Sequence, residues 1–196
     1  EKKNTISFMI KIVGNGSKSL SALNVNTAIN VMFPLGNGFT VEAAAGKKSL
    51  LVGGGVGIAP IYLLAKTLRQ QNCDFDVILG GKSAEDLLRY DDFVAFSKVY
   101  CTTEDGSKGC KGFVTNHRQL AADVKSYDNI YCCGPTPMMK AIADVAQNNG
   151  VNCEVSLENK MACGFGVCLC CVTPTTSGNE CVCAKGPVFN ANDLKW

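Results

Sequence analysis

Ser49-Leu-Leu-Val52 runs without a break into Gly53-Gly-Gly-Val-Gly-Ile-Ala-Pro60, and the reading of this junction decides the fold. The apolar run predicts a buried strand. Beyond the glycines, Ile61, Leu64, Ala65 and Leu68 recur at helical spacing, predicting a helix from Ile61 to about Gln71. A strand that turns sharply into a helix leaves unpaired N–H groups and a positive dipole end beside the turn, where a pyrophosphate is favoured. A bare tight turn would use the same residues, so it is the placement between strand and helix that favours the phosphate reading. The run is not the G-x-G-x-x-G fingerprint of ordinary dehydrogenases.

The alternation continues downstream. Strands are predicted over Phe75 to Leu79, Val99 to Thr103, Asn129 to Cys133 and Cys153 to Leu157. Helices are predicted from the cap-like Ser83 through Phe96, over Thr115 to Val124, and over Met138 to Asn148 with Gly150 as its stop. Apolar strands spaced by helices imply a five-stranded, parallel, doubly wound α/β sheet, which binds ligands at the carboxyl ends of its strands. Cys133-Gly-Pro-Thr-Pro137 repeats the glycine logic at a second strand end, and two such turns in one sheet predict a dinucleotide crevice. Thr102 to Ser107 either lines the same crevice or is a plain polar turn. His117, the only histidine, is read as a helix-packing or surface residue.

Upstream, Thr5 to Val13 alternates, with Ile6, Phe8, Ile10 and Ile12 on one face, and Ala28 to Phe33 reads as another strand. Gly14 to Ser17 turns the chain, with Ser17 capping a short helix through Leu23. Two strands and Gly-rich turns in this space predict part of a small antiparallel β-barrel, since closure needs more strands.

Downstream lies Met161-Ala-Cys-Gly-Phe-Gly-Val-Cys-Leu-Cys-Cys171. Cys163, Cys168 and Cys171 read as C-x4-C-x2-C, the plant-type order for a [2Fe–2S] cluster, with Gly164 and Gly166 letting the backbone wrap the sulfides. Thr173 to Asn179 reads as a hairpin loop leading to the fourth cysteine. Cys183 is preferred there because Gly186-Pro187 turns the chain just after it, with Cys181 left as the competitor. Zinc favours paired C-x2-4-C knuckles, and a disulfide set is a third use of the same residues. The organisation expected is therefore 1–46 as a barrel remnant, 47–157 as a nucleotide domain and 158–196 as a cluster domain.

Net charge of +2 and 18% charged residues point to no nucleic acid or strongly charged partner. No apolar run reaches the ~18 residues that span a bilayer. Twelve cysteines in an ordinary α/β chain fit a reducing cytoplasm with a metal cluster better than a secreted disulfide scaffold.

Together these motifs resemble the ferredoxin–NADP reductase superfamily, in which a flavin barrel precedes a nicotinamide domain with G-G-x-G-I-x-P and C-G-P turns. Within it, Leu51 to Pro60, Cys133 to Met139, Met161 to Cys171 and Cys183 to Phe189 look like the electron-transfer subunits of two-subunit, NAD-linked dihydroorotate dehydrogenases. The resemblance implies FAD, a [2Fe–2S] cluster and NAD as cofactors. It also implies an FMN-containing catalytic partner that oxidises dihydroorotate in pyrimidine (UMP) biosynthesis, in a heterotetramer of two subunits of each kind. It carries Cys163, Cys168, Cys171 and Cys183 over as cluster ligands. Met9, Ile10, Lys11, Gly16 and Ser17 carry over as the second half of an FAD site, and Gly54, Gly55, Gly57, Cys133 and Gly134 as the nicotinamide-domain turns. The family's Arg-Pro-x-Ser flavin motif is expected to precede Glu1, so the chain is expected to be a piece of a longer protein. Two other readings stand: a hydrogenase or ferredoxin-linked reductase subunit, and a zinc-stabilised nucleotide-binding scaffold.

Overall fold

The computed structural model describes residues 5–196. They divide into two compact units, one ending at Pro34 and the other running Leu35–Trp196.

In the first unit, helix α1 spans Asn15–Ser21 and buries no residue. The Ser17 hydroxyl accepts from the amides of Val13 (2.9 Å) and Gly14 (3.1 Å), which starts the helix two residues earlier than its sequence suggested. Neither strand expected over 5–13 and 28–33 forms a ladder among the described residues. Ile6, Phe8, Ile10, Ile12, Ile29, Met32 and Phe33 all stay more than half exposed. An antiparallel strand exists only through a ladder to its partner and a face to bury, and alternation by itself supplies neither.

The second unit is built on a seven-stranded sheet. Its strands are β1 (Lys48–Gly54), β2 (Asp74–Gly81), β3 (Lys98–Thr103), β4 (Cys110–Lys111), β5 (Asn129–Cys133), β6 (Asn152–Ser156) and β9 (Val188–Asn190), in the order β4-β3-β2-β1-β5-β6-β9. All neighbours are parallel except β6 and β9. The five strands legible in the sequence form the middle, and short edge strands extend them at both sides.

Successive residues of β1 feed opposite faces. Leu50 and Val52 pack with Ile78, Ile130 and Cys132 under α5 (Thr136–Asn149), while Leu51 packs with Val77, Leu79 and Tyr131 under α2 (Ile58–Gln70). Burial on both faces is why these strands read as continuous apolar runs, each large side chain contributing about 1.5–3 kcal/mol. At the amino ends, buried Asp76 accepts from the Tyr127 hydroxyl at 2.7 Å and meets Lys48 Nζ at 3.4 Å.

The helix expected from Ser83 through Phe96 is instead a 3₁₀ turn, Ala84–Asp86, and a short helix α3, Tyr90–Val94. Asp86 folds back to accept from the amides of Lys82 and Ser83, and Arg89 sits at φ +58°, so the run cannot continue as one helix. The helix expected over Thr115 to Val124 breaks likewise, because His117 is extended and caps the four-residue α4 (Arg118–Ala121). His117 is buried and its ring packs at a tilt against Tyr100, 4.9 Å between centroids, so it is a packing residue. No helix among the described residues is long and apolar enough to cross a membrane.

Candidate nucleotide crevice and cysteine loop

In the sheet order, the chain leaves β1 toward β2 on one side and meets β5 on the other, so the switch point lies between the carboxyl ends of β1 and β5. Gly53 of β1 is in register with Cys133 of β5, which brings the two predicted turns together.

The glycines there have two different jobs. A Cβ on Gly57 would collide with the carbonyl oxygen of Cys133, and one on Gly54 would meet Met138 Sδ at 2.6 Å. A Cβ on Gly134 would run into the same Met138 thioether. Gly57 is thus needed for the two turns to pack backbone to backbone, while Gly54 and Gly134 make room for the Met138 side chain. Gly55 differs: its φ is +57° and nothing lies within 4 Å of a Cβ built there. It is the one of the four that faces open space, at the amino end of α2, whose first turn carries no acidic side chain and no side-chain cap. Cys133 donates its thiol to the Ser156 carbonyl at 3.4 Å, and burial pushes it up to about 11, so its proton stays on Sγ at neutral pH. The segment Thr102 to Ser107 sits at the carboxyl end of β3, two strands away from the switch point, where the Glu104 amide donates to Gly81 O and Asp105 accepts from Ser107.

The cysteine loop hangs from a hairpin. Strands β7 (Val172–Thr175) and β8 (Gly178–Cys181) pair antiparallel with Val172 opposite Cys181, and the Val182 amide continues the ladder to Cys171 O at 3.1 Å. The one-turn helix α6 (Val182–Lys185) follows, and the Cys183 amide donates to Cys171 Sγ at 3.3 Å. Across the loop, the Cys168 amide points at Cys163 Sγ at 3.5 Å, while Gly164, Gly166 and Leu169 adopt positive φ to let it curl. Amides of Cys168, Phe165 and Val167 hold the Cys163 thiol down at about 6, and the amide of Cys183 lowers Cys171. Cys183 is pushed up to about 11, chiefly by its hydrogen bond to Cys171. Cys171 and Cys183 are buried against the sheet's core, whereas Cys168 is exposed and Cys163 half-exposed.

Among the described residues no group of three or more His, Cys, Asp or Glu is set to hold a metal ion. The four predicted ligands lie along one loop and its hairpin, and backbone amides are aimed at two of the sulfurs, as the loop of a thiolate-bound cluster requires.

Sequence reasoning missed two contributors. Asn37 clasps the segment after Cys183: its amide donates to Gly186 O at 2.6 Å and its Nδ2 to Lys185 O at 2.9 Å. Only its place in a Gly-rich turn marked it. Met138 covers two of the glycines. Phe189 is buried, with its ring where a Cβ on Gly186 would go. Met9, Ile10, Lys11, Gly16 and Ser17 all lie in the unit ending at Pro34; Ile10, Lys11 and Gly16 are exposed, Met9 is half-buried, and Ser17 closes the turn described above.

A nucleotide crevice at a parallel sheet's switch point, joined in one compact unit to a cysteine-rich loop, defines an iron–sulfur oxidoreductase of the nicotinamide-linked class. Residues 51–144 match the family model for an oxidoreductase NAD-binding domain, and residues 158–195 match that for the iron–sulfur cluster binding domain of dihydroorotate dehydrogenase B. The chain belongs to the family of electron-transfer subunits of dihydroorotate dehydrogenase B (NAD(+)). It is 37% identical over 198 residues to that subunit from Fusobacterium nucleatum, covering 98% of this chain and 75% of the relative. It is 37% identical over 194 residues to the one from Clostridium perfringens, covering 98% and 77%. Among solved structures, an NADH-dependent reduced ferredoxin–NADP oxidoreductase, described for flavin-based electron bifurcation, superposes with a TM-score of 0.80 at 31% identity. That match covers 95% of this chain and 67% of the other.

Proposed function

We propose that this chain relays electrons from an FMN-containing dihydroorotate dehydrogenase subunit to NAD+ in cytoplasmic pyrimidine biosynthesis. Cys163, Cys168, Cys171 and Cys183 would hold a [2Fe–2S] cluster. Met9, Ile10, Lys11, Gly16 and Ser17 would contribute to an FAD site, and Gly54, Gly55, Gly57, Cys133 and Gly134 to the NAD crevice. When bound, the cluster supplies one-electron transfer, the nicotinamide accepts hydride, and the flavin mediates between the two.

The chain's own residues set the conditions for this. Gly55 leaves room for a pyrophosphate to approach the first turn of α2, whose N–H groups carry no competing side-chain cap. Gly57 and Gly134 let the two turns close to a single crevice wall. Cys133, kept protonated, presents a neutral thiol at the carboxyl end of β5. In the loop, amides pointing at Cys163 and Cys171 stabilise negative charge on sulfur, which favours the reduced state of a thiolate-bound cluster. Phe165, Val167 and Leu169 are each more than half exposed on that loop, and we assign them to the docking face for the catalytic subunit. The functional parts are 1–46 for flavin, 47–157 for nicotinamide and 158–196 for the cluster, with two subunits of each kind in the complex.

The observation that carries this reading is the hairpin register that brings Cys183 onto Cys171 within the unit that also holds the crevice. Anaerobic co-purification with the FMN subunit, followed by assay of iron, sulfide and NADH formed from dihydroorotate, tests it. Equimolar iron and sulfide with dihydroorotate-dependent NADH is expected, and zinc in place of iron would overturn it. The likeness to the ferredoxin–NADP oxidoreductase structure favours a second reading, a ferredoxin-linked reductase subunit. Iron and sulfide without orotate formation, but with NADH-dependent ferredoxin reduction, would select it.

A further inference from the structure

The amino ends of the sheet's strands line a second recess, at the opposite end of β1, β2 and β3 from the glycine crevice. It is a cleft of about 540 Å³ between those strand ends on one side and α4 with the turn Val124–Ser126 on the other. That volume falls within the range of about 300–1,000 Å³ usual for small-molecule sites. Three lysines and two carboxylates line it, and both carboxylates are already matched. Asp76 is buried, accepts from the Tyr127 hydroxyl at 2.7 Å and meets Lys48 Nζ at 3.4 Å. Asp123 pairs with Arg118 at 3.0 Å. That leaves Lys98, beside Asp76 in the β2–β3 register, and Lys125 on the turn across the cleft. Both are exposed, and among the described residues neither forms an ion pair with a carboxylate. Lys98 Nζ instead lies 5.0 Å from the centre of the Tyr100 ring, which holds the ammonium at the cleft wall.

We propose that this cleft is a second anion site, taking a small molecule that bears a phosphate or pyrophosphate group, with Lys98 and Lys125 as its cationic contacts. The unmatched charge in the lining is positive on two sides of one concave space, where field lines concentrate and anions gather. A phosphate group suits such a pair. It offers three acceptor oxygens and close to two negative charges, so it engages both ammonium groups at once, whereas a single carboxylate leaves one unmatched. Asp76 does not oppose the ligand, because Tyr127 and Lys48 already hold its carboxylate below the surface. Gln119 and Ser126 complete a polar wall for the remainder of the molecule. The site depends on neither the cluster nor the NAD crevice. Inorganic pyrophosphate and a phosphate ester share the chemistry, and the cleft has room for either.

The test follows the amide resonances of the full, isotopically labelled chain while inorganic pyrophosphate or ribose 5-phosphate is added, so that the cleft and the glycine crevice are read separately. Three forms are compared: the parent, the double variant Lys98→Ala with Lys125→Ala, and the double variant Lys98→Arg with Lys125→Arg. In the parent, the amides of Lys98, Lys125 and Ser126 are expected to shift saturably with at least one of the two probes. Binding should be about tenfold weaker in the alanine pair and within about threefold of the parent in the arginine pair, which keeps both charges. The tighter probe assigns the source: ribose 5-phosphate a phosphate ester, pyrophosphate an inorganic polyphosphate. Shifts that never saturate, or that sodium chloride of equal ionic strength reproduces, overturn the proposal. So do shifts confined to Gly54–Gly57, an alanine pair that binds like the parent, and an arginine pair that binds no better than the alanine pair. Should the alanine pair not fold by circular dichroism, Lys98→Gln with Lys125→Gln repeats the comparison, and parent-like binding in that pair overturns the proposal.

Discussion

The Cys183 amide donates to the Sγ of Cys171 across twelve intervening bonds of sequence position but only 3.3 Å of space, because the β7–β8 hairpin folds one residue onto the other. The hairpin is thus the device that closes the cysteine loop, and its turn is the weak point. Gly178 lies in that turn at φ +125°, a conformation costly for any residue with a Cβ, while nothing crowds the site. Gly178→Ala is expected to cost about 1–2 kcal/mol of backbone strain. The loss should appear as slower iron uptake on reconstitution, with the sheet's circular dichroism unchanged. Uptake at the parent rate would show that the loop closes without the hairpin.

Cys163 gives a second prediction. Three amides stabilise its thiolate, so in the metal-free chain it should be the most reactive thiol near neutrality. A thiol held at about 6 is mostly ionised above that pH, whereas Cys133, at about 11, is not. Limited iodoacetamide labelling followed by mass spectrometry should modify Cys163 first, half-maximally near pH 6, and leave Cys133 untouched. Labelling of Cys163 that rises only above pH 8 would contradict the amide geometry.

The glycines of the crevice should separate cleanly by substitution. Gly57→Ala forces a Cβ into the Cys133 carbonyl, an overpacking cost of about 1–3 kcal/mol. Gly55→Ala meets no neighbour and pays only for its left-handed backbone, about 1–2 kcal/mol. Gly57→Ala is therefore expected to lower the melting temperature at least as much as Gly55→Ala. Gly55→Ala should instead weaken NAD binding out of proportion to its stability loss, since its Cβ occupies the approach. Isothermal titration and thermal melts of the two variants decide this; equal NAD affinities would remove Gly55 from the crevice.

The middle of the fold was legible because burial on both faces leaves an unambiguous record. β5 begins and ends where its apolar run does, and β1, β2, β3 and β6 differ from expectation only at their ends. What failed was local competition. Asp86 and His117 are polar groups that cap short turns within runs of helical spacing, and spacing alone does not reveal which hydrogen bond wins. Strand β9 was missed because three residues carry no periodicity; only the antiparallel ladder to β6 defines it. The alternation over 5–13 was read as a strand, yet alternation records a face that needs covering, not the partner that covers it. At the site, spacing singled out four candidate ligands, but the contacts of Asn37 with Lys185 and of Met138 with Gly54 join distant parts of the chain, which no local pattern encodes.

His117 supplies a pH dependence that can be traced to one side chain, since the chain has no other histidine. Its Nδ1 accepts the Gln119 amide at 3.3 Å and so caps α4, which requires the neutral ring. Burial lowers its proton affinity in the folded state. The unfolded chain, with an ordinary imidazole near 6.5, therefore binds the proton more readily than the folded one. By linkage, stability rises with pH wherever the unfolded state holds more protons. The contribution of His117 is thus fully present above about pH 7.5, falls as pH drops through 6.5, and levels off once the folded ring also protonates. His117→Asn keeps a capping oxygen but removes the titration. Urea unfolding of the parent between pH 7.5 and 5 should show a falling midpoint, and the variant should show a shallower decline over the same window, because the carboxylates titrate mainly lower. Parallel slopes for the two chains would mean that the ring is already free to protonate in the folded state.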